Sequence, residues 1–279
     1  MQGYHYPCFN VTSPIPDVCL VLVQSDRKLN TFTEAMRRDF RRLITRLSDD
    51  SQVRAIVIAG AGDHFTAGLD LQEAMKGPIL SGVDRTIDPA RKARINREYI
   101  LDFQACVDVV ERCVKPVITA LHGLSYGLAI DLACCADMRI CAANTRFCVK
   151  EIDIGIAADL GTLSRLPRMV GNASFVRDVC LTGREFSAQE AAQVGFVSYV
   201  EETRERAIDQ AVEIAGQIAQ KSPVAIQGTK DILNHARDHP VGESLRYTAV
   251  WNGAALQTQD VKEAMLSFRL RKMPTFEKL

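Results

Sequence analysis

Three carboxylates lie in a stretch of the sequence that otherwise has the composition of a protein interior. The stretch reads F-C-V-K-E-I-D-I-G-I-A-A-D-L-G-T-L and carries Glu151, Asp153 and Asp159. A buried carboxylate without a partner destabilises the fold, or it keeps its proton at neutral pH. Carboxyl groups in this state are suited to accept and donate protons in a reaction. The pattern therefore predicts that this segment takes part in chemistry.

Two glycine-rich turns offer a second kind of chemistry, hydrogen bonding by backbone amides. The first, G-A-G-D-H-F-T-A-G-L-D-L over 60–71, leaves a strand and opens a helix near Gly68. The second, H-G-L-S-Y-G-L-A-I-D-L over 122–132, does the same and places Asp131 one turn into its helix. The first amides of a helix can hold an anion or a polarised carbonyl, although such turns also occur for purely steric reasons. If both turns converge on one point, they would form an oxyanion hole.

The elements that must position these groups follow a β-α-β order. Short apolar runs rich in β-branched residues, 18–24 and 54–60, flank a stretch with helical spacing, 32–47. The order continues with a helix over 98–113, a strand-like run from Pro116, a helix of small residues from about Gly127 and a strand-like M-R-I-C-A. This alternation predicts an α/β fold with a parallel sheet flanked by helices.

The rest of the chain divides into an insertion and a helical end. Residues 77–97 are polar, charged and interrupted by Pro and Gly, which predicts a mobile surface insertion or a short helix. After residue 201 the strand patterns stop, and 206–220, 223–235 and 241–268 have helical patterns. An amphipathic final helix favours packing against another subunit, or simply against the chain's own core. We therefore divide the chain into a core, 1–200, and a helical lobe, 201–279.

Composition argues against several classes of partner. The 279 residues, 47% of them hydrophobic, can bury a large core. The 34 basic and 34 acidic side chains cancel, so no net charge attracts nucleic acid or an anionic membrane. No apolar run approaches the roughly 20 residues of a membrane span, and the first residues carry no targeting pattern. Small molecules and other protein surfaces are the predicted partners.

Cysteine and histidine patterns give no reason to predict a metal. The nine cysteines lie mostly in apolar runs without a C-x-x-C pair, which is typical of reduced core thiols in an intracellular protein. His235 and His239 are four residues apart, but no acid or third ligand is spaced to complete a site. A solvated helix end before Pro240 fits this pair better.

The two turns together resemble a known family. The pair F-T-A-G-L-D-L and P-V-I-T-A-L-H-G-x-x-x-G, with the spacing between them, resembles the crotonase (enoyl-CoA hydratase/isomerase) superfamily. The run V-K-E-I-D-I-G-I-A-A-D-L-G-T-L-S-R-L-P-R-M-V-G-N, with K-S-P-V-A-I-Q-G-T-K and L-Q-T-Q-D further on, is similar to the Δ3,5-Δ2,4-dienoyl-CoA isomerases within it. The resemblance extends over nearly the whole chain. It implies a crotonase-like spiral of β-β-α units over 1–200 and a helical trimerisation lobe over 201–279, with trimers paired into hexamers.

The resemblance also implies a substrate and a set of site residues. The substrate would be a fatty acyl chain on coenzyme A, and the backbone amides of Ala67 and Leu128 would hold its thioester oxygen. The carboxylates of Asp131, Glu151 and Asp159 would line the pocket. Contacts to coenzyme A are expected from Arg27, Lys28, Ala67, Gly68, Leu69, Asp70 and Gly127. No metal or redox cofactor is implied, because coenzyme A is part of the substrate.

The implied reaction of fatty acid β-oxidation moves a proton from C2 to C6 of a 3,5-dienoyl thioester. Negative charge collects on the thioester oxygen, where one oxyanion donor is worth about 3 kcal/mol. C2 and C6 are four bonds apart, roughly 5 Å in an extended chain, so one carboxylate serves both poorly. Glu151 and Asp159 therefore fit as the base at C2 and the acid at C6, while Asp131 orients or tunes them. Which of the two starts protonated is open.

Structural roles, rather than catalytic ones, are expected for the other acids. Asp153, Asp70 and Asp137 would cap helices or form ion pairs. Asp159 could by itself be a helix N-cap, because D-L-G-T-L opens a predicted helix. The match of three acids favours catalysis for Asp159.

Two alternative functions are considered by comparing the acids and Leu128 of this chain with the family pattern. An enoyl-CoA hydratase would use two glutamates, whereas the first acid here is Asp131 and Asp159 adds a third. Leu128 stands where the family usually has glycine, so its side chain would crowd the thioester and could leave an inactive acyl-CoA-binding protein. The last residues, Glu277-Lys278-Leu279, resemble the peroxisomal signal S-K-L, so a peroxisome-like organelle or a mitochondrion is expected.

Overall fold

The computed structural model describes residue 1, residues 3–75 and residues 87–279. Its strands are β1 Phe9–Ile15, β2 Val18–Val23, β3 Ala55–Gly60, β4 Val117–Leu121, β5 Leu124–Tyr126, β6 Met138–Ala142, β7 Arg146–Cys148, β8 Phe186–Ser187 and β9 Tyr199–Glu201. Its helices are α1 Glu34–Asp49, α2 Leu71–Ala74, α3 Pro89–Arg112, α4 Leu128–Cys135, α5 Thr162–Met169, α6 Ala173–Thr182, α7 Ala188–Gln193, α8 Arg204–Ala219, α9 Pro223–Asp238, α10 Val241–Ala255 and α11 Gln259–Leu270. The predicted α/β class is confirmed.

Two sheets organise the core. The larger has the strand order β1-β2-β3-β4-β6-β9, in which β1 is antiparallel to β2 and the other neighbours are parallel. The smaller has the order β5-β7-β8, in which β5 follows β4, β7 follows β6, and β8 follows α6. β3 and β4 are buried along their whole length, which explains their unbroken apolar sequences. The β-α-β prediction is confirmed for β2, α1, β3, β4, α4 and β6.

α3 is longer than predicted. It begins at Pro89 rather than near residue 98, because the Asp88 side chain accepts hydrogen bonds from the Ala90 and Arg91 amides. The end of the predicted insertion, 89–97, is therefore the first part of a long helix. Residues 77–86 of that insertion lie outside the described residues. α3 ends close to the predicted position, and its buried face packs against α1 and α4.

α8 packs on the main sheet although it belongs to the predicted helical lobe. Ala207, Ala211, Ala215 and Ala219 recur every four residues on one face and lie against the buried side chains of β2, β3, β4 and β6. Small side chains allow the helix to approach the sheet closely. The predicted boundary at residue 201 therefore precedes a helix that completes the core, and the helices that follow it are α9, α10 and α11.

The last residues return to the body of the protein. The guanidinium group of Arg54 donates hydrogen bonds to the carbonyls of Ala219, Phe276 and Glu277 at 3.0, 2.6 and 3.1 Å. Lys278 lies 3.5 Å from a carboxylate oxygen of Asp17. The C-terminal segment is thus held beside the end of α8.

None of the described helices combines the length and the apolar character needed to cross a membrane.

Candidate active site

In the first glycine-rich turn the predicted Ala67 amide is occupied, whereas the nearby Leu69 amide is free among the described residues. The Ala67 amide donates to the Leu29 carbonyl at 3.1 Å, and the Gly68 amide donates to the Thr66 hydroxyl at 3.1 Å. The Leu69 amide donates to no group within the described residues, whereas both of its neighbours are fixed to Phe32 by backbone hydrogen bonds of 2.9 Å. The structure therefore corrects the Ala67 assignment, because that amide is occupied, and offers the Leu69 amide instead.

The second turn places the Leu128 amide beside the first turn. Leu128 is the first residue of α4, so its amide has no partner within the helix, and it donates to no other described residue. Gly68, at φ +99°, is a close neighbour: a β-carbon there would lie 3.3 Å from the Tyr126 carbonyl and 3.7 Å from the Leu128 nitrogen. A side chain at Gly68 would therefore be both strained and crowded. The glycine allows the two turns to meet.

The Leu128 side chain points into the core. It is 4% exposed and belongs to the main buried apolar cluster, with the rest of α4. The predicted crowding of a thioester by this side chain is therefore not what the structure shows. A leucine fits here because a backbone donor at a helix start leaves the side chain free to pack elsewhere.

Asp131 is a buried acid with one satisfied oxygen. It is 1% exposed, and its Oδ1 accepts hydrogen bonds from the Thr162 amide at 2.8 Å and the Thr162 hydroxyl at 2.7 Å. Its Oδ2 has no partner among the described residues. Burial raises the pKa of Asp131 to about 6, and the two bonds from Thr162 act in the opposite direction.

Glu151 lies next to the second turn. It belongs to a short 3-10 helix, Lys150–Ile154, and a β-carbon on Gly127 would lie 3.1 Å from its Oε1. Its Oε2 is buried without a partner among the described residues. Burial, and then the charges of Asp131 and Asp159, raise the pKa of Glu151 to about 7. This group can therefore be either acid or base near neutrality.

Asp159 follows Glu151 on an irregular segment that leads to α5. Burial raises its pKa, and its charge acts on both Asp131 and Glu151. Its backbone carbonyl accepts a hydrogen bond of 2.6 Å from the Gln104 side chain. Asp159 is not the N-cap of α5, because that position is Gly161. The structure thus brings the three predicted acids together.

The predicted coenzyme A residues other than Gly127 lie along the first turn and on the surface beside it, and Gly127 precedes α4 in the second turn. Arg27 is exposed, 3.7 Å from an Asp70 carboxylate oxygen, and Lys28 opens the short 3-10 helix Lys28–Asn30. This helix meets the turn through the bond between Leu29 and Ala67. The Asn30 side chain also donates to the Val23 and Phe65 carbonyls.

The structural roles predicted for three other acids are confirmed. Asp70 caps α2 by accepting from the Gln72 and Glu73 amides. Asp137 accepts from the Val117 amide and pairs with buried Lys230, both at 2.7 Å. Asp153 pairs with Lys150 at 2.5 Å.

His235 and His239 do have an acid beside them, contrary to the prediction from spacing. Glu243 comes from the next helix, and potential ligand atoms of the three residues lie within 4.8 Å of one another. The two imidazole rings are stacked face to face at 3.8 Å, and Nδ1 of His239 lies 2.7 Å from the His235 carbonyl. The nitrogen lone pairs lie in the planes of the two parallel rings, so they do not converge on one ion. The two histidines therefore form a stacked pair at the end of α9 rather than a metal site.

Sequence reasoning missed the groups that hold the acids. Thr162 and Gln104 bond to residues 31 and 55 positions away, and no local pattern announces either contact. The Leu69 amide was missed as a donor for a similar reason, because the contact between Leu29 and Ala67 that occupies the predicted donor joins residues far apart in the sequence.

An α/β fold in which two strand-to-helix turns present backbone amides beside one buried and two half-buried carboxylates defines an enzyme site suited to stabilising an enolate and moving protons. The chain belongs to the enoyl-CoA hydratase/isomerase family: the family model described as "Enoyl-CoA hydratase/isomerase" matches residues 16–278. The predicted recognition is confirmed, as is the crotonase fold.

Individual relatives show which members of the family this chain is similar to. The chain is 41% identical over 279 residues to the human "Delta(3,5)-Delta(2,4)-dienoyl-CoA isomerase, mitochondrial", covering 99% of this chain and 84% of that protein. It is 36% identical over 261 residues to the Arabidopsis thaliana "Delta(3,5)-Delta(2,4)-dienoyl-CoA isomerase, peroxisomal", covering 93% and 92%. Among solved structures, an enoyl-CoA hydratase from Bacillus anthracis superposes with a TM-score of 0.86 at 24% identity, covering 97% of this chain and 99% of that one. This last likeness concerns the fold.

Proposed function

We propose that the protein is a Δ3,5-Δ2,4-dienoyl-CoA isomerase of fatty acid β-oxidation. The observation that carries the proposal is the set of three coupled acids beside two free amides. Relatives with that name, alike over nearly the whole chain, support the same reaction. The reaction needs an oxyanion hole, a base and an acid, and the described residues offer each of them.

The thioester oxygen would bind the amides of Leu69 and Leu128. Negative charge develops on this oxygen when the C2 proton leaves, and donors at a helix start stabilise it most at that moment. Oε1 of Glu151 lies against Gly127, the residue before Leu128, so Glu151 would be near the carbonyl carbon of a thioester bound there. This proximity supports Glu151 as the base at C2.

Asp159 would deliver a proton at C6. Burial raises the pKa of its carboxyl, and because Glu151 lies against the second turn, Asp159 is left for the more distant carbon. Electrons flow from the C2–H bond through the conjugated chain, the 3,5-diene becomes a 2,4-diene, and C6 gains one proton. Asp131 lies too deep to serve as a shuttle, and its charge instead raises the pKa of Glu151.

Coenzyme A would lie along the first turn. Arg27 and Lys28 are exposed cations suited to its phosphates, and residues 67–70 with Gly127 would contact the pantetheine end. The chemistry requires neither a metal nor a redox cofactor, because each step is a proton transfer.

A product assay tests the proposal. The purified protein is given a 3,5-dienoyl-CoA and, separately, a 2-enoyl-CoA, and products are identified by ultraviolet absorbance and mass. We expect rapid formation of the conjugated 2,4-dienoyl-CoA and little hydration. Hydration of the 2-enoyl-CoA as the main activity would indicate the hydratase alternative, and binding without turnover would indicate the inactive alternative.

We further propose that helices α9–α11 form an oligomer interface, as a trimer or hexamer. The segment that runs from α9 to the end of α11 exposes large apolar side chains: Leu233, Val241, Leu245, Val250, Leu256, Met265, Phe268 and Leu270. Such a surface is typical of subunit contacts. Sedimentation at micromolar concentration should give a multiple of three chains, and a monomer would contradict the proposal.

The proposed compartment is a mitochondrion or a peroxisome-like organelle, because the names of the human and Arabidopsis thaliana relatives state these compartments. Fluorescence microscopy with the tag at either end would distinguish the two. Because Arg54 holds the carbonyls of Phe276 and Glu277, a peroxisomal route would also require the tail to be released.

A further inference from the structure

We infer that Gln104 is a positioning residue for the acid at C6. The inference rests on the proposed function and extends it to a side chain on α3 that lies outside both glycine-rich turns and outside the acid-bearing segment. The geometry is a hydrogen bond of 2.6 Å from Nε2 of Gln104 to the backbone carbonyl of Asp159.

The segment held by Gln104 has few other polar anchors. Among the described residues, residues 157–160 make one hydrogen bond, which is the bond from Gln104. The next hydrogen bonds along the chain are from Ile156 to Glu151 on one side and from Thr162 to Asp131 on the other. Leu160 adds a buried apolar contact. The position of the Asp159 carboxyl therefore depends on a side chain from another element.

Gln104 is itself well fixed. Its neighbours on α3, Phe103, Cys106 and Val107, are buried in the main core, and the helix packs against α1 and α4. A donor on a rigid helix can hold a less regular segment in place, and displacements of about 1 Å at a reacting group reduce turnover strongly. The hydrogen bond from Gln104 thus holds the backbone of Asp159 in a fixed position relative to α3.

The consequence is selective. Glu151 lies at the other end of the segment, beside Gly127, and no hydrogen bond among the described residues joins it to Gln104. Loss of the Gln104 donor should therefore slow proton delivery at C6 while removal of the C2 proton continues. The enolate would then return to starting material more often, and a label at C2 would be lost to solvent before product forms.

The experiment uses the Gln104→Met variant, which keeps the side-chain length and removes the donor. We expect kcat for 3,5-dienoyl-CoA to fall about 5- to 10-fold, as for loss of one hydrogen bond that acts in the transition state. KM should stay within about twofold of the wild-type value. With substrate deuterated at C2, the ratio of label lost from recovered substrate to product formed should rise by a similar factor.

Matched variants separate positioning from folding. Asn234→Leu removes another side-chain amide that donates to an α3 carbonyl, that of Glu111 at 3.4 Å, and should leave both readouts unchanged. If Gln104→Met folds poorly, Gln104→Glu takes its place, because it keeps the side-chain shape without the amide donor. It should give the same fall in kcat and the same rise in the label ratio. Unchanged kcat in both Gln104 variants, or a fall in kcat with an unchanged label ratio, would overturn the inference. A wild-type protein without isomerase activity would instead overturn the proposed function, and this inference with it.

Discussion

The two glycine-rich turns and the segment from Glu151 to Asp159 serve one site, but they are held in different ways. In the turns, backbone hydrogen bonds to Phe32, Leu29 and Cys148 fix the chain on each side of the free amides. The acid-bearing segment instead exposes Ile152, Ile154 and Ile156 and depends on a side chain from α3. The proposed oxyanion donors are thus fixed by backbone hydrogen bonds at the sheet ends, whereas the proposed proton-transfer groups lie on a segment with exposed apolar side chains.

The largest expected effect is on the acids of the less regular segment. Glu151→Gln and Asp159→Asn should each reduce isomerisation by about 100-fold or more, because a general acid or base contributes at least this much. Circular dichroism should show an unchanged fold for both variants. Unchanged turnover in both would remove the proton-transfer assignment.

The turns can be tested through the amide of Leu128. Leu128→Pro removes the donor at the first helical position, where proline is tolerated, and should reduce kcat by about 100-fold. Leu128→Ala keeps the amide and serves as the control for the lost side chain. It should retain activity per folded molecule and reduce the free energy of unfolding by about 2–5 kcal/mol, because it opens a cavity in the core. Equal losses of turnover in the two variants would mean that this amide is not a donor.

Asp131 links the two regions, and its charge should affect stability. Because its folded pKa is raised to about 6, the native state favours the protonated form, and stability is lost as pH rises through that value. Asp131→Asn mimics the neutral form, so it should be about 1–3 kcal/mol more stable than wild type at pH 8. The difference should shrink between pH 6 and 4, as measured by denaturant unfolding. A variant less stable than wild type at pH 8 would contradict this sign.

The smallest expected effect concerns the exposed isoleucines. Ile154→Ala should change the free energy of unfolding by less than about 0.5 kcal/mol, since 49% of the Ile154 side chain is already exposed. Phe147→Ala, a few residues earlier and fully buried, should cost about 3–5 kcal/mol. A similar loss for both would mean that the acid-bearing segment is packed as tightly as the strand before it.

Local patterns were sufficient for β2, β3, β4, β6 and the acids, and insufficient where distant contacts decide. Apolar β-branched runs located β2 and β3, since both are buried in the sheet. β1 was missed because it is polar, mostly exposed and contains Pro14. The start of α3 depended on the single cap at Asp88. Which amide is free in the first turn depended on a contact with Leu29, 38 positions earlier, that no spacing rule contains.

The burial of the Leu128 side chain has an evolutionary consequence. Every amino acid except proline supplies the same amide at this position, so selection here acts on the volume of the core rather than on the reaction. Substitutions by other large apolar residues should therefore accumulate among descendants of this sequence without altering the catalytic step, and their persistence would be governed by folding yield alone.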